Sequence, residues 1–153
     1  MEAKTPAANA RHFESDDEVH AIGEGLVSCT LRKAQWTHAA HLAAAVWLIA
    51  VSSDLDPARD MPGIICRYNV ATGVANTDTG GYHETITQAS LRAVAAFLRE
   101  QGAQTPLHIA CNNLLHSPFG DRAWPLRYWT PDTLFSRAAR RGWVEPDLAP
   151  LPF

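Results

Sequence analysis

The sequence has little of what would assign a chain to a familiar chemical class. Its longest apolar run, Leu42 to Val51, is ten residues, about half of what a membrane-spanning helix needs. The opening stretch, MEAKTPAANARHFESDDE, contains no apolar segment of the signal-peptide kind. These two absences point to a cytoplasmic protein with no membrane partner. Cysteine is scarce: Cys29, Cys66 and Cys111 lie far apart and form no C-x-x-C, which argues against a disulfide framework or a thiolate zinc site. Neither sign of charge dominates, with 13 Lys and Arg against 16 Asp and Glu and a net charge of −3. The densest basic group, Arg137, Arg140 and Arg141, reads as a solvated helix face, so no nucleic acid is expected as a partner. Also missing are G-x-G-x-x-G, G-x-x-x-x-G-K, G-x-S-x-G, C-x-x-C-H and H-E-x-x-H. Nucleotide-dependent chemistry, a serine hydrolase, covalent haem and a zincin are thereby disfavoured.

What is present is a core. Apolar residues make up 46% of the chain and charged residues 19%, enough to fold one domain of this length and too little charge for a disordered chain. Residues 1–14 read as a disordered leader, and 15–153 as a single helical domain. Ser15 and Glu18 have the spacing of a capping box before the helical pattern Val19, Ile22, Leu26. Thr37 is placed to cap a second helix over 38–52, which is apolar on nearly every side and so belongs at the centre. Asp56-Pro57 opens a third helix, which Pro62-Gly63 is expected to interrupt. A polar loop over 74–81 leads into Tyr82-His83-Glu84 and a helix running to about Gln101. Thr105-Pro106 and Thr130-Pro131 open two more, and the irregular stretch between, 116–128, has the length of a lid. The tail from Glu145 holds three prolines and reads as an extended strap. The expected fold is all-α, a compact bundle of five to six helices.

Histidine supplies the candidate chemistry. His38 and His41, spaced i, i+3, share one helix face with Leu42 and Ala45, which aims both imidazoles inward. His83 begins another inward stripe through Thr87 and Leu91. All three sit at helix starts, where the dipole and burial both favour neutral imidazole, the form that binds metals and acts as a base. Two functional readings follow. In one, His38, His41 and His83 hold a divalent transition metal (Zn, Fe or Ni), with Glu84 as a fourth ligand or an acid/base. In the other, the same four residues line a metal-free pocket as acids, bases and donors. Tyr82, Thr87, Asn76 and Tyr68 are the candidate substrate-binding residues. The expectation is a small enzyme acting on a small organic molecule. The alternative is a non-catalytic binding or interaction module with structural histidines. The apolar helices are also compatible with a homodimer.

The strings Trp36-Thr37-His38-Ala39-Ala40-His41-Leu42 and Tyr82-His83-Glu84-Thr85-Ile86-Thr87, with Arg67-Tyr68-Asn69, Pro125-Leu126-Arg127-Tyr128-Trp129 and Trp143-Val144-Glu145-Pro146-Asp147-Leu148, resemble a group of small bacterial helical proteins. The resemblance covers most of residues 15–153. It implies a stand-alone helical domain of about this length and carries no activity or substrate. In layout the chain is also loosely similar to the DinB-like bundles, which hold a metal with three histidines. Their usual pair is i, i+4 and late in the chain, whereas here it is i, i+3 and early.

Overall fold

Alanine governs the centre of the molecule. In the computed structural model, which describes residues 13–153, helix α2 (His38–Ala50) buries Ala40, Ala43, Ala44 and Ala45 together with Leu42, Val46 and Leu48. Small side chains let neighbouring helices approach α2 from several sides, and α1 (Asp16–Val27), α3 (Pro57–Ala71), α4 (Glu84–Glu100) and α5 (Leu107–His116) all pack against it. Two short helices, α6 (Pro131–Leu134) and α7 (Arg137–Arg141), follow, and no strand occurs among the described residues. The all-α bundle expected from the helical periodicity is therefore present. No helix among the described residues is long and apolar enough to cross a membrane.

The closest approach is between α1 and α2. A Cβ at Gly23 would lie 2.1 Å from the Trp47 ring, so only glycine lets the indole lie flat on α1. The Trp47 Nε1–H donates to His20 Nδ1 at 3.2 Å, which fixes the ring there.

Three local readings change. Pro62 does not interrupt α3, which runs unbroken through it. A proline inside a helix removes one N–H and leaves the carbonyl four residues earlier without its partner. That carbonyl belongs to Ala58, and it accepts instead from Gln88 Nε2 at 2.9 Å, a donor supplied by α4. The leader expected over 1–14 lies mostly outside the described residues, but Phe13 is 3% exposed and exchanges two hydrogen bonds with Asn112, so the packed domain begins before residue 15. Ser15 makes no side-chain cap; the Glu18 carboxylate accepts from the Glu14 N–H.

A second, smaller cluster covers the opposite face of α4. Ala89 and Ala93 pack there against Trp124, Trp129 and Leu134. The tail crosses this cluster as an extended strap, held by Trp129 Nε1–H to the Val144 carbonyl, by the Leu148 N–H to the Tyr128 carbonyl, and by Thr85 Oγ1, which donates to the Gly142 carbonyl and accepts from the Val144 N–H. Of the tail's leucines, Leu151 packs on the cluster and Leu148 is exposed. Asp147 anchors the strap by accepting from the Thr130 N–H and from the hydroxyls of Thr130 and Thr133. These donors hold its carboxyl down to about 2.

Candidate functional site

Between the two clusters the molecule leaves a cavity of about 560 Å³, a size suited to a small organic ligand. Its walls come from the start of α2, from Met61 and Ile65 of α3, from Ile86, Thr87, Ser90 and Leu91 of α4, and from the segments around Trp124 and Leu134. The irregular stretch expected as a lid thus contributes a wall: Arg122 to Leu126 line the cavity, and Trp124 is only 3% exposed.

His38 and His41 both reach this cavity because Thr37 starts α2 where the sequence places it. The Thr37 side chain accepts the Ala40 N–H at 3.2 Å, which puts His38 first in the helix and His41 one turn on. The Thr37 backbone carbonyl accepts from His41 Nδ1 at 2.7 Å. A carbonyl can only accept, so Nδ1 carries the proton, and Nε2 holds a bare lone pair. Trp36 stacks on the imidazole with centroids 3.7 Å apart, which fixes the ring plane. His41 is exposed at the cavity, with Trp36 covering one face of its ring. Burial pushes its pKa below the ordinary imidazole value, and the charges of His38 and Arg122 act the same way, against the hydrogen bond donated to Thr37. His38 is arranged the opposite way round. Its Nε2 donates to the Gly120 carbonyl at 2.9 Å, leaving Nδ1 as the lone-pair nitrogen. Gly120 is required for that contact, since a Cβ there would lie 1.9 Å from the Leu115 carbonyl oxygen.

His83 has a different job. It is the N-cap of α4: Nδ1 accepts the Ile86 N–H at 3.1 Å, and Nε2 donates to the Leu134 carbonyl at 2.7 Å. Both ring nitrogens are used, and His83 does not line the cavity. The expected assembly of His38, His41 and His83 is therefore not formed. No three His, Cys, Asp or Glu side chains converge on a metal-sized point among the described residues. A three-histidine metal set does not fit this arrangement, because His83 does not line the cavity with His38 and His41 and has no ring nitrogen to give a metal without losing its cap or its carbonyl partner.

The remaining candidates divide in the same way. Thr87 lines the cavity. Glu84 sits in the first turn of α4 and accepts a short hydrogen bond from the Tyr82 hydroxyl, and neither residue lines the cavity. Burial, reinforced by the Glu84 carboxylate, pushes the Tyr82 phenol well up. Asn76 ties the 74–83 loop to α3: its Oδ1 accepts from Asn69 Nδ2 and the Tyr82 N–H, and its Nδ2 donates to the Cys66 carbonyl. Tyr68 is 0% exposed and its hydroxyl donates to the Leu31 carbonyl. Asn76 and Tyr68 hold the framework and do not reach the cavity.

Sequence reasoning missed Trp36, Ser90, Arg122 and Trp124 as parts of this site. Trp36 had a signal, because an apolar residue just before a cap often folds back on the helix start. Arg122 had none, since its position depends on how the irregular 117–127 segment folds.

Compared with known protein families, with curated proteins and with solved structures, the chain matches none. The cavity must be read from its own chemistry.

One consequence is a pH dependence of stability. His41 and His83 both have pKa values lowered by burial in the folded chain. The unfolded chain, with imidazoles near the ordinary 6.5, then binds more protons, so stability rises with pH across this window. The contribution is fully present above about pH 6.5 and is lost as pH falls through the folded values. Thermal melts at pH 7.5 and 5.5 should show a lower Tm at 5.5, with the difference reduced in His41→Gln. Equal melting temperatures at the two pH values would contradict the lowered pKa values of these imidazoles.

Proposed function

We propose that this protein binds a small organic molecule in the cavity between its two clusters and acts on it by acid–base chemistry, with the Nε2 atom of His41 as proton acceptor. One observation carries the reading: the Thr37 carbonyl holds the Nδ1 proton of His41, so the lone pair on Nε2 is left for the cavity. A general base needs a defined tautomer, a fixed ring and a pKa low enough to be neutral at the working pH. Thr37, Trp36 and burial supply these in turn. Thr87 and Ser90 put hydroxyls on the α4 wall, where they can orient a polar group of the substrate. The rest of the wall is largely apolar and excludes bulk water from the body of a ligand.

The second reading, a binding module without turnover, uses the same cavity and predicts a different result. Purified protein incubated with a mixture of small organic molecules, followed by mass spectrometry, should deplete at least one component and generate its product. His41→Gln keeps a similar volume and removes the base; it should slow that conversion by about 10²–10⁴-fold while the fold stays intact by circular dichroism. Conversion at an unchanged rate in His41→Gln would overturn the role given to His41. Retention of a compound by both proteins, with no conversion by either, would favour the binding module.

A further inference from the structure

We infer that the ligand of this cavity is an organic carboxylate with an apolar body, its charged end held at the rim by Arg122. The inference rests on the reading of the cavity as a small-molecule site and adds the class of molecule it takes. The first ground is the charge of the lining. Its one permanent charge is the Arg122 guanidinium, and it holds no aspartate or glutamate. That is the reverse of the whole chain, in which acidic residues outnumber Lys and Arg by 16 to 13. A cationic recess in an acidic protein attracts anions against the background field.

The second ground is that Arg122 has no internal use. It makes no hydrogen bond or ion pair among the described residues. The adjacent carboxylate, Asp121, is turned to a local task, accepting the Ala123 N–H at 2.9 Å, and is not in the lining. Arg141 pairs with Asp78 and Arg140 donates to the carbonyls of Gly81 and Tyr82, whereas Arg127 also lacks a partner among the described residues but lies outside the lining, so it is the place of Arg122 in the cavity wall that sets it apart. Arg122 thus presents a planar, permanently charged fork at the edge of a largely apolar cavity. A guanidinium matches a carboxylate in two parallel hydrogen bonds.

The third ground is the polarity of the two imidazoles. The free nitrogens of both imidazoles are acceptors, so a carboxylate would be repelled by them and directed to the rim. What they favour beside them is a donor, an O–H, an N–H or an acidified C–H. The ligand then carries an anion for Arg122, a proton-bearing group for His41 and an apolar body for the rest of the lining.

Matched probes test this. We would titrate 4-phenylbutyrate and its neutral isostere 4-phenylbutyramide into wild-type protein and Arg122→Gln, following binding by calorimetry and by the ring signals of His41. Arg122 is exposed and unbonded, so the variant should fold normally. The carboxylate should bind wild type about tenfold more tightly than the amide, as expected for a charge-assisted pair. That preference should collapse in Arg122→Gln, with the affinity for the amide unchanged. Equal affinity of the two probes for wild type, with His41 signals shifting for both, would overturn the anion assignment and leave the cavity reading standing. Binding of neither probe would overturn both.

Discussion

Replacing His83 with alanine should cost about 2–4 kcal/mol of stability and leave the state of the His41 ring unchanged. The cost has two parts. An N-cap removed from the start of a helix is worth about 1 kcal/mol, and here the Ile86 N–H loses its acceptor. The Leu134 carbonyl loses the Nε2–H donor in a region where Leu134 is 1% exposed, and a buried acceptor left unpaired costs about 1–3 kcal/mol. For a domain of this size each kcal/mol lowers Tm by roughly 2–4 °C, so a fall of about 5–15 °C is expected in calorimetry. His83→Asn separates the parts, since asparagine restores the cap but does not reach Leu134; it should recover roughly 1 kcal/mol. The same variants test the metal reading. If His83 were a ligand, His83→Ala would abolish binding of added Zn, Fe or Ni by a protein that otherwise binds it stoichiometrically. The bonding of His83 predicts a stability loss and no such effect.

Trp129→Ala should be the more damaging of the two largest changes, at about 3–5 kcal/mol. Trp129 is 0% exposed and sits at the middle of the smaller cluster, edge-on to Trp143 at 5.8 Å, with the Arg92 guanidinium 3.9 Å from the Trp143 ring on that ring's other contact. Its removal leaves a large void under the strap and takes the donor from the Val144 carbonyl. Trp129→Phe keeps a six-membered ring and loses the N–H with a small part of the packing, so it should cost about 1–3 kcal/mol. The difference between the two variants, read from denaturant midpoints at constant slope, measures packing apart from hydrogen bonding. Because the cluster also holds the Trp124 side of the cavity wall, Trp129→Ala should weaken ligand binding as well, whereas Trp129→Phe should not.

The parts of this molecule legible in the sequence are those decided by short-range rules. Thr37 caps α2 as its position implies, the alanine-rich pattern of α2 places it at the centre, and His38 and His41 share a face that reaches the cavity. Where a distant residue decides, sequence reading fails for identifiable reasons. Pro62 is a helix breaker until Gln88 of α4 supplies a donor to the Ala58 carbonyl. His83 has the surroundings of a ligand until the Leu134 carbonyl, 51 positions away, occupies its second nitrogen. Asn76 looks like a polar group free to orient a substrate, and the loop consumes both ends of its amide. Arg122 belongs to the site only because the chain between Ser117 and Arg127 folds back across the start of α2, a path set by Gly120 and its contact with His38. In each case the residue type was informative, and the identity of its partner was not.

The proposed chemistry turns on one atom, Nε2 of His41. Long-range ¹H–¹⁵N correlation NMR on uniformly labelled protein, with His41 assigned through His41→Gln, reads its tautomer and titration directly. The structure predicts that at pH 7 the His41 proton resides on Nδ1, that Nε2 resonates as an unprotonated nitrogen, and that the ring titrates below the ordinary imidazole value. A proton on Nε2 at pH 7, or titration at or above that ordinary value, would contradict the assignment of His41 as the base.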